Sequence, residues 1–115
     1  MDINDLDFHD SGILSVTENT QHHYLDFLLE FPTDCENNIF EKRMLRFTDV
    51  INYHIDEMPF ARPLTILQIV NLGQKIKTFG DGRNQFETVR NIIEIQTNAG
   101  NRIIQFSDCD LITPK

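Results

Sequence analysis

Arg90-Asn-Ile-Ile-Glu-Ile-Gln-Thr-Asn-Ala-Gly-Asn-Arg-Ile-Ile-Gln-Phe-Ser107 is the stretch whose reading decides the fold. Two runs rich in β-branched residues flank a short polar connection that contains Gly100. Ile93 and Ile95 on one side, and Ile104 and Phe106 on the other, recur with the period of two that a half-buried, pleated surface needs. A helix would scatter these side chains around its axis, so the segment reads as a β-hairpin.

Upstream the same alternation recurs. Gly12 to Glu18 reads as a first strand, with Ile13 and Leu14 on opposite faces. After the polar turn Asn19-Thr20-Gln21, the run from His22 to Phe31 sends Leu25, Phe27, Leu29 and Phe31 to one face and Tyr24, Asp26, Leu28 and Glu30 to the other. Pro32 has no backbone donor and closes this strand, leaving residues 32–38 as a loop. Ile39 to Phe47 forms a third strand that carries Lys42, Arg43 and Arg46. Thr48 to Met58 fits one helical face, with Thr48 as N-cap, and also fits a bulged strand; the strand is the preferred reading. Leu64 to Leu72 is a nearly continuous apolar run bounded by Pro63 and Gly73, and reads as a buried central strand. Gln74 to Val89 reads as a long connection around the turn signal Gly80-Asp81-Gly82. From Asp108 onward the chain tails away.

These elements predict one all-β domain spanning 1–115, an antiparallel sandwich or half-barrel of about six strands with room for one short helix. Its expected core is Leu25, Phe27, Leu29, Phe31, Phe47, Ile66, Val70, Ile93, Ile95, Ile104 and Phe106. A chain of 115 residues with 40% hydrophobic content and nine Phe has enough apolar mass for such a core. No repeat, low-complexity tract or interdomain linker interrupts it.

The net charge of −8 is unevenly placed. Residues 1–41 hold ten acidic side chains and no Lys or Arg, whereas all ten basic residues lie from Lys42 onward with eight acidic ones. Such a field repels phosphate backbones and anionic membranes and attracts basic surfaces, which disfavours nucleic acid and membrane as main partners. Acidic and basic strands lying side by side would neutralise part of it internally. The first residues lack the basic and apolar regions of a secretory signal, and no apolar run approaches the roughly 20 residues of a membrane span. The expected location is therefore cytoplasmic, with Cys35 and Cys109 as reduced thiols.

Chemistry-bearing clusters are few. Asp7, His9, Asp10 and Ser11 combine carboxylates with an imidazole, as a metal site or a water-activating pair would. In an extended segment Asp7 and His9 share a face and Asp10 points away, and further ligands are missing, so a His–Asp bond that ties down the chain is the simpler reading. Contiguous residues cannot converge as a catalytic triad. Asp108 and Asp110 suit a solvated chain end better than a Ca²⁺ site. Gly80-Asp81-Gly82 lacks the spacing and the Lys of a phosphate loop. Flanking Asp34 and Glu36 discourage a Cys35 thiolate. Lys75, Lys77, Arg83 and Arg90 interleave with Phe79 and Phe86 as in a phosphate-contacting loop, a reading that the net acidity opposes. No catalytic residue, metal site or cofactor is expected.

Two stretches, Phe8-His-Asp-Ser-Gly-Ile-Leu-Ser-Val16 and Thr97-Asn-Ala-Gly-Asn-Arg-Ile-Ile-Gln-Phe106, resemble a loose group of small bacterial β proteins, some of which look like immunity proteins of toxin systems. The resemblance implies a compact β-sandwich or half-barrel that binds another protein, and it carries no catalytic residues.

The sequence thus points to a non-enzymatic protein-binding module. Its acidic amino-terminal hairpin would engage a basic protein partner through Tyr24, Asp26, Leu28 and Glu30, toxin neutralisation being one form of this. The alternative is a small-ligand or metal-binding domain using Asp7, His9 and the 74–89 loop. A third reading is a homo-oligomer built by pairing exposed edge strands.

Overall fold

In the computed structural model, which describes residues 2–34, 36–59 and 62–114, the chain is all-β. Eight strands make one open antiparallel sheet: β1 (Gly12–Asn19), β2 (Tyr24–Asp34), β3 (Ile39–Thr48), β4 (Asn52–Glu57), β5 (Leu64–Phe79), β6 (Phe86–Thr97), β7 (Gly100–Phe106) and β8 (Asp108–Ile112). Their order across the sheet is β4-β7-β6-β5-β1-β2-β3-β8. The only helical turns among the described residues are two 3-10 turns, Ile3–Asp5 and Gly82–Asn84. No helix among them is long and apolar enough to cross a membrane.

The sheet coils on itself without closing. β1 and β5 share only the pairs Gly12↔Thr65 and Ile13↔Leu64. The two halves then face each other, so that Phe27 on β2 meets Tyr53 on β4 with ring centroids 6.0 Å apart, and Phe47 on β3 meets Phe106 on β7 at 4.9 Å. Between them lie Leu25, Phe27, Leu29, Leu45, Phe47, Ile66, Ile93, Ile95, Ile104 and Phe106, all buried. Each such side chain stabilises the fold by roughly 1.5–3 kcal/mol through the water it sheds.

Nine of the eleven expected core residues are buried, and Phe31 packs half-buried against them. Val70 is the exception. A bulge between Ile66 and Gln68 inserts one residue into β5, so Ile69 turns inward and Val70, opposite Glu94, turns outward. The expected buried central strand is therefore only partly so: Ile66 is its sole fully buried residue, and Leu67 and Leu72 are exposed.

Four further expectations change. β2 does not stop at Pro32, which pairs with Phe40 as the strand continues to Asp34. Beyond Glu30 that strand has no ladder partner on its β1 side among the described residues, which gives a residue without N–H an unpaired edge to occupy. The 48–58 segment holds the strand preferred over a helix, β4, but a short loop with Asp49 in the left-handed region (φ 53°) separates it from β3 where a bulged continuation was expected. The 74–89 segment is not a loop: Gln74 to Phe79 and Phe86 to Val89 extend β5 and β6 as a paired ribbon, joined by a six-residue connection, 80–85, that holds the 3-10 turn. The tail forms the edge strand β8, whose Cys109 is buried opposite Phe47.

Residues 2–11 form a strap beside β5. Ile3 and Phe8 are buried, Phe8 lying edge-on to Phe31 at 5.6 Å, while Asp2, Asp5, Asp7 and Asp10 stay exposed. The Asp10 N–H donates to the Ile66 carbonyl and the Ile66 N–H to the Ser11 carbonyl, which fixes the strap to β5.

Candidate functional site

The face expected to carry the site exists, and its register decides its charge. Tyr24, Asp26, Leu28 and Glu30 lie along β2 on the side away from Leu25, Phe27 and Leu29, and β3 sets Thr48, Arg46, Met44 and Lys42 opposite them in turn. Arg46 donates from Nε and Nη2 to the two Asp26 carboxylate oxygens at 2.8 and 3.1 Å. The same guanidinium stacks over the Tyr24 ring, 4.1 Å from its centroid. The Asp26 hydrogen bond holds the Arg46 guanidinium above its ordinary pKa despite the opposing effect of burial. Asp26 is thus engaged within its own sheet. Glu30 remains exposed, with Lys42 at its register position.

A concavity opens at the end of the same hairpin. The β1–β2 turn is shaped by Asn19, whose side-chain oxygen accepts from the His22 N–H at 3.1 Å, and by His23 in the left-handed region (φ 61°). The Asp49 N–H donates to the His23 carbonyl at 3.0 Å and so docks this turn against the β3–β4 loop. Between them lies a cavity of about 320 Å³ lined by Glu18, Tyr24, Leu25, Val50 and Tyr53, among others. Glu18 pairs with Leu25 in the β1–β2 ladder and therefore shares its inward face, which puts a carboxylate above an apolar floor.

Tyr53 is held in place by the most buried ion pair among the described residues. Arg102 donates from Nε and Nη2 to Glu57 at 3.0 and 2.7 Å and from Nη1 to the Tyr53 hydroxyl at 2.8 Å, while Thr97 donates to Glu57 at 3.0 Å. Burial raises the Tyr53 hydroxyl pKa, with Arg102 opposing. For Glu57, burial pushes the carboxyl up, yet the Arg102 and Thr97 hydrogen bonds outweigh it and leave the pKa lowered. These groups cap one end of the core, and they saturate one another.

Asp7 and His9 have other duties. Asp7 accepts from the His9 N–H at 2.9 Å, His9 Nδ1 lies 2.8 Å from the Leu67 carbonyl, and His9 Nε2 lies 3.4 Å from Asp10. Asp10, with φ 69°, does not point away as an extended segment requires, because the chain turns there. The Leu67 hydrogen bond, then the Asp10 charge, raise the His9 pKa. No group of three or more His, Cys, Asp or Glu side chains placed to hold a metal occurs among the described residues. Burial pushes the Cys109 thiol up to about 11, far from a nucleophile's range. Cys35 lies outside the described residues.

Sequence reasoning placed Tyr24 at this end of the hairpin and missed Glu18, Val50 and Tyr53. Alternation from Gly12 gives the wrong face for Glu18 unless the bulge between Ile13 and Ser15 is known. No family model matches the chain, and neither a curated protein nor a solved structure matches it.

Proposed function

We propose that this chain is a non-enzymatic protein-binding module, a half-barrel whose acidic hairpin end receives a Lys or Arg side chain of a basic protein partner. The cavity below Glu18 carries the reading. Its size, about 320 Å³, sits at the lower end of ligand sites and suits one long side chain. Leu25, Val50 and Tyr53 would line the aliphatic stem while Glu18 meets the cation, the division of labour that amphipathic basic side chains need. Glu30 and the exposed carboxylates of the strap add a long-range field that steers a basic surface towards this half of the molecule. Asp26, bound by Arg46, contributes little to that field. Toxin neutralisation is one form such capture would take, and its support is the resemblance to immunity proteins.

Titration with Lys- and Arg-containing peptides, followed by amide chemical shifts, tests the reading. Expected are shifts confined to the surroundings of Glu18, Val50 and Tyr53, weakened by salt and abolished by Glu18→Lys, with Glu30→Lys having a smaller effect and Asp26→Asn none. Shifts that survive Glu18→Lys, or that fail to occur at this cavity, overturn it. A free alkylamine binding as tightly as the peptides would favour a small-ligand site instead.

A further inference from the structure

The ribbon formed by residues 72–92 projects beyond the core, and its two faces differ sharply. Along β6, Ile93 belongs to the core and Asn91 pairs with the buried Phe106, so Asn91, Val89 and Glu87 continue the inner face. The register adds their partners Gln74, Ile76 and Thr78 to that face. The outer face receives Lys75 with Arg90, Lys77 with Thr88, and Phe79 with Phe86. The two Phe rings stack on each other with centroids 5.7 Å apart and so cover part of their own surface. The inner face therefore holds one charge, Glu87, and an apolar pair at its middle, Ile76 at 62% and Val89 at 50% exposure. A two-stranded ribbon is marginal in water on its own, and an apolar pair exposed at the middle of this one gains by being covered.

We infer that what covers it is a second copy of this chain, the two ribbons stacking inner face to inner face in antiparallel fashion about a two-fold axis through Ile76 and Val89. The arrangement is self-complementary, as an isologous contact must be. Ile76 and Val89 lie midway between the root of the ribbon, at Gly73 and Ile92, and its end, at Phe79 and Phe86, so each apolar pair meets its own copy. Glu87 and Thr78 of one copy then lie opposite the Gln74 and Asn91 amides of the other; each amide donates once within its own chain, Gln74 to Asn91 and Asn91 to the Ser107 carbonyl, and has a second N–H for a carboxylate, without like-charge conflict. The tip, with Arg83 on its 3-10 turn, reaches the root of the partner ribbon. There the acidic strap crosses: Asp2, Ile3 and Asn4 border a cavity with Asn71 and Asn91. Charge complementarity selects this occupant. Arg83 at the tip has no carboxylate within ion-pair distance among the described residues, and the strap that the tip would meet carries Asp2 and Asp5 exposed, whereas Lys75, Lys77 and Arg90 lie on the outer face and take no part. Nucleic acid is disfavoured because that same strap would repel it from the ribbon root.

Sedimentation equilibrium on the full chain, from micromolar to millimolar, combined with oxidative cross-linking in a Cys35→Ser background, tests the inference. Expected are a reversible dimer, a loss of roughly tenfold or more in its association constant on Val89→Asp with the circular dichroism unchanged, and a disulfide-linked dimer from Ile76→Cys but not from Lys77→Cys on the opposite face. A monomer throughout, a dimer indifferent to Val89→Asp, or preferential cross-linking through Lys77→Cys overturns it. So does a monomer whose ribbon resonances move on adding a single-stranded oligonucleotide. The side-chain cavity under Glu18 takes no part in these measurements, so the two proposals fail separately.

Discussion

Arg102 grips the Glu57 carboxylate through two hydrogen bonds, at 3.0 and 2.7 Å, from the strand next door. Both side chains are about nine-tenths covered. Removing one partner therefore leaves the other charge desolvated beside the core, a larger loss than the net worth of the pair. Glu57→Gln is expected to destabilise the fold by about 2–4 kcal/mol in urea unfolding at neutral pH. The sign of the pH dependence follows from the lowered Glu57 pKa. A carboxyl whose folded pKa lies below its unfolded value of about 4.3 contributes stability that is complete above that value and lost as pH falls through the folded one. Wild type should lose stability on acidification below about pH 4.5, and Glu57→Gln should show a shallower decline over the same window. Parallel curves for the two proteins would refute the assignment.

Arg46 serves two partners, and a double-mutant cycle can divide them. Its pair with Asp26 sits on the outer face, where the Arg46 side chain is 31% exposed and solvent screens the attraction. The coupling energy between Asp26→Asn and Arg46→Met should be about 0.5–1 kcal/mol. The Tyr24 ring below the guanidinium should add a separate coupling of similar size in a Tyr24→Leu cycle. High salt should reduce the first coupling and leave the second nearly intact. If Asp26→Asn alone costs several kcal/mol, the pair is more deeply desolvated than its exposure indicates.

Alternation carried the fold a long way because the strands that face the core leave polar residues on their other side. β2 and β6–β7 have this form, and their inward residues were legible from parity alone. Where parity failed, a bulge had intervened: after Ile66 it moved Val70 out, and after Ile13 it turned Glu18 in. A bulge costs one residue and leaves no compositional mark, so its position is visible only in the ladder. The 74–89 ribbon was missed for another reason. With no layer over it, its mixture of lysines, threonines and aromatics shows no apolar face long enough to count as a strand. β8 was missed because Cys109 and Leu111 alternate with Asp108 and Asp110 over too few residues to separate a strand from a tail. The acidic face was legible, but its neutralisation was not, since only the β2–β3 register sets Arg46 against Asp26.

Ser11 is fully buried, and its hydroxyl has no hydrogen-bond partner among the described residues. Its backbone does the structural work, donating to Phe8 and accepting from Ile66, and any residue can supply those bonds. Ser11→Ala removes a desolvated polar group and leaves the backbone contacts in place, so it should leave stability unchanged or raise it by up to about 1 kcal/mol. A loss beyond about 1 kcal/mol in the same urea titration would mean that the hydroxyl has a partner after all.

Two glycines separate steric from conformational cost. At Gly100 an added Cβ would stand 2.1 Å from the Asp56 carbonyl oxygen and 3.0 Å from the Glu57 Cα, both backbone atoms of the paired strand β4. Neither can retreat without opening the Glu57↔Gly100 pairing, and with it the neighbouring contact between Glu57 and Arg102. At Gly73 the backbone is left-handed too, with φ +97°, yet nothing among the described residues lies within 4 Å of the added carbon. Gly73→Ala should therefore cost only the conformational preference, about 1–2 kcal/mol. Gly100→Ala should cost clearly more, on the order of 3 kcal/mol or above, and should flatten the acid limb of the stability curve as Glu57→Gln does. Equal losses at the two positions would show that β4 can move aside, and that the Glu57–Arg102 contact tolerates a shift of its strand.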